Sequence, residues 1–308
     1  MCGIVGLFLK DVTLEPDLGG LLSQMLVTMT DRGPDSAGIA IYGREDAAGK
    51  TKLTVQSDRP TEDFPGLADA LSEKLGAGVS ATERSTHAVL VLPTGRTDEA
   101  RAALAEVNPR LRVMSRGDTV EIYKEVGLPR DVVARFGIDR MGGTHGIGHT
   151  RMATESAVTT MGAHPFNTGP DQCLVHNGSL SNHNAWRRKL LRAGVEIETE
   201  NDTEVGAAYL TWRMRQGASL GDALTSGLKD LDGFFTFVVG TKDGFGVVRD
   251  AIACKPAIMA ETEQYVAFGS EYRALAELPG VEKARVWEPE PATVYFWSHL
   301  TAPTKQAA

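Results

Sequence analysis

The chain opens Met1-Cys2 and runs at once into Gly3-Ile4-Val5-Gly6-Leu7-Phe8-Leu9, an uncharged stretch that stops at Lys10-Asp11. A short β-rich run with no polar alternation suits a strand buried on both faces, so the amino terminus has to enter a layered interior. The run is also too short for a signal-peptide core or a membrane span, and no basic leader precedes it. Removal of Met1 would leave the thiol of Cys2 and a free α-amine on one residue. An α-amine with a reference pKa of about 7.7 to 8.0 is partly unprotonated near neutrality and can take the thiol proton, so nucleophile and base would share one carbon frame. Gly3, without a Cβ, would let a substrate carbonyl or a neighbouring backbone approach the sulfur. Taken alone, Met-Cys is better read as the start of an ordinary core strand with Cys2 as a small buried hydrophobe. Other segments decide the matter.

Helical spacing appears at Leu18 to Met29. Beyond the loop Asp31-Arg32-Gly33-Pro34-Asp35-Ser36, the segments Ala37 to Tyr42 and Leu53 to Gln56 read as strands separated by a turn containing Gly and Asp. From about Pro60 to Phe136 the rhythm changes: helical Leu67 to Leu75, strand-like His87 to Leu92, helical Asp98 to Glu106, then strands at Leu111 to Ser115 and Val120 to Tyr123. That alternation predicts a small α/β insertion with its own layer. Strands resume at Gly148 to Met152, Gln172 to His176, Phe234 to Gly240, Gly244 to Arg249 and Tyr265 to Gly269. Helices are expected at Asn182 to Arg192 and Thr203 to Arg215, with a short one at Glu271 to Glu277. The expected organisation is a core built from 2–60 and 137–300, an insertion over 61–136, and a small polar tail, 301–308, that frays.

With 308 residues, 42% hydrophobic and 23% charged, the chain can bury a substantial core, and disorder is not the default. A formal net charge of -8 argues against non-specific nucleic-acid binding, which needs clustered Lys and Arg. The three cysteines, Cys2, Cys173 and Cys254, form no CxxC pair, so neither a disulfide scaffold nor a zinc ribbon fits, and a reducing cytoplasm is the expected home. His145, His149 and His164 lack the helical spacing of common zinc sites, and no metal is expected.

Five ordered motifs decide the question left open by Cys2: Cys2-Gly3-Ile4-Val5-Gly6, Arg32-Gly33-Pro34-Asp35-Ser36-Ala37-Gly38, His149-Thr150-Arg151-Met152-Ala153-Thr154, Ala163-His164-Pro165-Phe166 and His176-Asn177-Gly178. Together they resemble the class II glutamine amidotransferases, over roughly the first sixty residues and most of the chain after 140. The resemblance implies an α+β fold, the four-layer αββα sandwich of the N-terminal nucleophile hydrolases, with the cysteine at a strand end between two sheets.

It also implies roles. Cys2 is the nucleophile. Asn177 and the backbone N–H of Gly178 form the oxyanion hole, although Asn-Gly by itself is a common hairpin turn. Arg151 grips the glutamine α-carboxylate with its two-pronged guanidinium. Asp202 receives the α-ammonium group, or caps the helix that follows it, or both. His164 borders the glutamine pocket or is structural, and Arg32 helps order a lid while Asp35 holds that loop. Arg249-Asp250, Lys255-Pro256 and Ser270-Glu271 resemble scaffold segments.

Two departures alter the pocket rim: Met152 stands where sugar-phosphate-synthesising members have tryptophan, and Glu155 replaces a frequent histidine. No P-loop or GxGxxG following a strand is present, so the ammonia acceptor is expected on another subunit. The resemblance runs most closely to the amidotransferase subunit of N-methylglutamate synthase, in the glutamate synthase group. Its partners resemble the FMN-containing and β-helical domains of glutamate synthase, with FMN and iron–sulfur centres in the partners and no cofactor in this chain. Two other readings stay open on sequence: a catalytically silent assembly subunit of the same fold, and a lone amide hydrolase, which Arg151 and Asp202 disfavour.

Overall fold

In the computed structural model, which describes residues 2–44, 49–153 and 157–307, the Gly3–Leu9 strand is buried along its whole length. Alternation still sorts two faces: Ile4 and Phe8 join one apolar cluster, and Val5, Leu7 and Leu9 join another. The strand occupies the middle of a seven-stranded sheet ordered Arg285–Trp287, Ile258–Glu261, Tyr265–Gly269, Gly3–Leu9, His145–Arg151, Ser36–Tyr42 and Val120–Val126. A six-stranded sheet runs Thr304–Ala307, Thr293–Ser298, Gly244–Arg249, Gly233–Thr241, Gln172–Leu180 and Phe166–Gly169.

Between the sheets, Ile4, Phe8 and Ile147 meet Val175, Val238 and Val247. The Leu18–Thr28 and Pro129–Phe136 helices cover the outer face of the larger sheet, where Leu22, Leu26 and Phe136 join Val5 and Leu7. The His183–Arg192, Asp202–Arg215 and Leu220–Asp230 helices cover the other sheet, where Trp186, Tyr209 and Leu224 join Leu174 and Val239. This is the expected four-layer αββα sandwich, in which each sheet needs an apolar cover on both faces.

A four-stranded sheet, ordered Ser80–Arg84, His87–Pro93, Lys50–Gln56 and Arg112–Gly117, stands beside it with the Leu67–Leu75 and Thr97–Val107 helices and a core that includes Leu53, Val55, Leu71 and Leu104. Strand membership differs from the expected 61–136 insertion at both ends. Lys50–Gln56, placed by sequence in the first core part, pairs inside this smaller sheet, whereas Val120–Val126, expected in the insertion, pairs with Ser36–Tyr42 at the edge of the larger one. Local β-propensity marks a strand but does not choose its partner.

Other elements differ too. Within the expected frayed tail, Thr304–Ala307 pairs with Thr293–Ser298, although its side chains are exposed. Only Tyr272–Ala274 of the expected Glu271 to Glu277 helix is helical, as a 3-10 turn. The Leu220–Asp230 helix, not among the expected elements, buries Leu220, Ala223, Leu224 and Gly227 at helical spacing. Met1, residues 45–48 of the turn expected before Leu53, and the Glu155 departure lie outside the described residues. Among the described residues, no helix is long and apolar enough to cross a membrane.

Candidate active site

Cys2 is half-buried at the start of the central strand. Its Sγ accepts a hydrogen bond from the Met152 N–H at 3.4 Å, just beyond the end of the neighbouring His145–Arg151 strand. Its carbonyl oxygen accepts from Nε of Arg32 and Nδ2 of Asn177, each at 3.0 Å. Asn177 belongs to the other sheet, so these bonds tie both sheets together at the sulfur-bearing residue. Ser270 completes the junction: its Oγ accepts from the Ile4 N–H at 2.9 Å and from Asn177 Nδ2 at 3.2 Å. Gly3 has a packing duty, because a Cβ there would lie 2.8 Å from both Met29 Cβ and Thr150 Oγ1.

Arg32 turns its guanidinium inward. Besides the Cys2 carbonyl, it donates from Nη1 to Glu271 Oε1 at 2.5 Å, and Arg273 pairs with the other Glu271 oxygen at 2.7 Å. The Arg32 hydrogen bond, with the Arg273 charge behind it, lowers the Glu271 pKa. Asp35 fixes the adjoining turn: its Oδ2 accepts from the Ala153 N–H at 2.8 Å and its own N–H donates to the Arg151 carbonyl at 3.1 Å. Arg151 is buried at the last position of its strand, with Nη1 directed toward the Ala157 carbonyl at 3.5 Å.

Asn177 and Gly178 lie inside the Gln172–Leu180 strand, paired with Thr236 and Phe235, and not in a hairpin turn. Gly178 has φ +144°, and a Cβ built on it would meet the Phe234 carbonyl oxygen at 1.9 Å, so glycine is obligatory. Asn201, not Asp202, caps the Asp202–Arg215 helix by accepting from the Thr203 N–H at 2.9 Å. Asp202 is released for another duty: its Oδ2 accepts from the Leu180 N–H at 2.9 Å, at the end of the strand that carries Asn177 and Gly178.

His164 reaches this constellation through its neighbours. Its Nε2 and the Nδ1 of His176 share the Thr203 hydroxyl at 2.7 and 3.0 Å, and its ring lies 4.0 Å from that of His149, whose Nε2 donates to the His176 carbonyl at 3.2 Å. Burial pushes the His149 pKa down to about 3, that of His176 to about 4, and that of His164 well below its ordinary value. The three rings are therefore neutral and act as a polar brace. Among the described residues, no group of three His, Cys, Asp or Glu is arranged to hold a metal ion.

The structure thus gathers Cys2, Arg32, Asn177 and the turn after Arg151, with Gly178 and Asp202 on or beside the Asn177 strand. Sequence reasoning missed the Met152 N–H, Thr203 and Lys124, and took Ser270 for scaffold. Lys124 left a signal, a cation between Tyr123 and Val126 in an otherwise strand-like run.

Residues 137–306 match the family described as glutamine amidotransferase domain. The chain is 68% identical over 304 residues to the glutamine amidotransferase-like protein GlxB of Rhizobium meliloti, covering 98% of this chain and 100% of that protein. It is 32% identical over 168 residues to the glutamine–fructose-6-phosphate aminotransferase of Mycobacterium tuberculosis H37Rv, covering 52% of this chain and 27% of that protein. Among solved structures, the glutamine phosphoribosylpyrophosphate amidotransferase of B. subtilis superposes with a TM-score of 0.64 at 18% identity, covering 99% of this chain. This chain spans 49% of that structure's chain, and the likeness speaks for the fold alone. Full-length identity to a relative of that family, the matched domain and the amidotransferase-type sandwich agree: the chain belongs to the class II glutamine amidotransferases.

Proposed function

We propose that this chain hydrolyses glutamine through a Cys2 γ-glutamyl thioester and hands the ammonia to a separate synthase subunit. With Met1 removed, the Cys2 α-amine takes the Sγ proton and the sulfur attacks the side-chain amide carbon, forming a C–S bond. Negative charge collects on the amide oxygen, toward which the Asn177 side chain and the Gly178 N–H donate. Asn177 Nδ2 already serves the Cys2 carbonyl and Ser270 Oγ, and the longer Ser270 bond is the one it exchanges. Collapse breaks the C–N bond, and ammonia leaves with the proton held by the α-ammonium group. Water then cleaves the thioester, releasing glutamate and restoring the thiol.

Arg151 receives the substrate α-carboxylate and Asp202 its α-ammonium group. Arg32 orders the loop beside the nucleophile, and His164 borders the pocket through Thr203. The observation that carries this reading is the placing of a half-buried Sγ on the Met152 N–H with its own carbonyl on the Asn177 amide.

The motif likeness supports a finer assignment: the acceptor subunits are those of an N-methylglutamate synthase or glutamate synthase-like complex, carrying FMN and iron–sulfur centres, with no cofactor in this chain. Ammonia release from glutamine by the full chain, alone and with those subunits, tests the proposal. Cys2→Ala is expected to lower it by about 10³-fold or more. Equal release from both proteins removes the mechanism, and no release by wild type even in the complex leaves a silent assembly subunit.

A further inference from the structure

We infer that Lys124 and Glu125 are positioning residues for glutamine, which grip the loop before the Phe166–Gly169 strand and tie its position to the insertion built on the four-stranded sheet from Lys50 to Gly117. The inference rests on the reading of Arg151 as the glutamine carboxylate clamp. Neither residue falls within the matched domain, which begins at residue 137.

Lys124 is buried, and its Nζ donates to the carbonyl oxygens of Ala163 at 2.8 Å, Pro165 at 3.2 Å and Met161 at 3.3 Å, with the Phe166 ring 4.5 Å away. A cation with three carbonyl partners and an aromatic face is worth far more to a loop than a surface contact, because it is shielded from water. Burial lowers the Lys124 pKa to about 8, while the Glu204 and Glu198 charges oppose that change, so the ammonium persists at neutral pH. Glu125, the next residue, faces the opposite side of the strand. One of its oxygens accepts from the Thr160 hydroxyl of the loop, and the other from the Thr86 hydroxyl of the insertion at 3.0 Å.

The loop in turn meets Arg151, whose Nη1 is directed at the Ala157 carbonyl at 3.5 Å and would lie 3.0 Å from a Cβ on Gly162. Beside the loop, a cleft of about 570 Å³ lies toward the Thr97–Val107 helix, with Lys124, Met161 and Phe166 on its wall and Arg101 and Arg116 lining it. The Lys124 and Glu125 bonds hold the loop on its 158–165 side, alongside the His164–Thr203 and Asn201–Gly162 hydrogen bonds. A shift of the insertion is thereby transmitted through Glu125 and its strand to the clamp for the substrate.

Glutamine hydrolysis by the full chain, with its partner subunits where turnover requires them, is measured for wild type, Lys124→Met, Lys124→Arg and Glu125→Gln. Lys124→Met is expected to raise KM about 10-fold with kcat changed less than about threefold, Glu125→Gln to raise KM about threefold, and Lys124→Arg to recover most of the loss. Amide hydrogen exchange over 157–165 is expected to quicken in Lys124→Met, while alkylation of Cys2 by iodoacetamide keeps its rate. A KM within twofold of wild type in folded Lys124→Met overturns the inference. Should that variant fail to fold, an unchanged KM in Glu125→Gln does the same. Absence of glutamine turnover in wild type counts against the proposed function, and unchanged exchange over 157–165 in Lys124→Met then overturns this inference on its own.

Discussion

At Gly178 a single methyl group decides whether the site can form. The residue combines a backbone angle that L side chains rarely adopt with a Cβ position 1.9 Å from a main-chain oxygen of the adjoining strand. Backbone cannot swing aside as a flexible side chain can, so Gly178→Ala must part the Gln172–Leu180 and Gly233–Thr241 strands or distort the backbone at Asn177 and Gly178. We expect a loss of about 2 to 4 kcal/mol in urea unfolding and no Cys2-dependent ammonia release. Wild-type stability in that variant would show that the strand pair yields more easily than its register implies. Arg32 and Glu271 illustrate the same scale differently. Sequence placed Arg32 beside Cys2, but the direction of its donors, toward the Cys2 carbonyl and Glu271, is a matter of packing.

Among the elements, the hairpin that turns at Asp171 has an unusual load. Asp171 is buried at φ +50°, and its carboxylate accepts from the N–H groups of Asp118, Thr119 and Val120 at 2.8, 2.8 and 3.0 Å, and from the Thr119 hydroxyl at 3.0 Å. One side chain therefore fastens the six-stranded sheet to the turn where the chain leaves the insertion and enters the Val120–Val126 strand. Asp171→Ala orphans buried donors and is expected to cost about 3 kcal/mol, with Asp171→Asn losing less. Urea midpoints check the size, and hydrogen exchange at 118–120 checks the place; protection there equal to wild type would refute the assignment. Periodicity found most helices and strands, including Leu67 to Leu75 and Gly244 to Arg249 with the observed bounds. The expected insertion bounds put the Leu53 to Gln56 strand in the core and the Val120 to Tyr123 strand in the insertion, whereas their pairings are the reverse, because the two runs look alike locally and differ only in distant partners.

For the molecule as a whole, buried neutral imidazoles set the response to acid. Burial brings His87, His145 and His149 down to about 3 and His176 to about 4, from an ordinary 6.5. Between those values the unfolded chain binds more protons than the folded one, so stability rises with pH across the window. It is complete above pH 6.5 and falls as pH drops toward 4 and 3. Each such ring accounts for about 2 kcal/mol between pH 7 and pH 5. Melting temperatures should therefore fall clearly over that interval, and His87→Phe, which keeps the ring packing beside Phe136, should make the fall shallower. Equal melting temperatures at the two pH values would dismiss the idea.

By itself the sequence determined the buried entry strand and the motif set around Cys2, since these depend on local composition, spacing and residue chemistry, and the family likeness of those motifs implied the αββα class. Tertiary structure decided which sheet each ambiguous strand joins, that Asn177-Gly178 is strand and not turn, that Asn201 caps the helix and leaves Asp202 to Leu180, and that Lys124 holds the loop before the Phe166–Gly169 strand. Those outcomes depend on pairings between residues far apart in the chain, where the free energy belongs to the meeting of two surfaces and is written in neither segment alone.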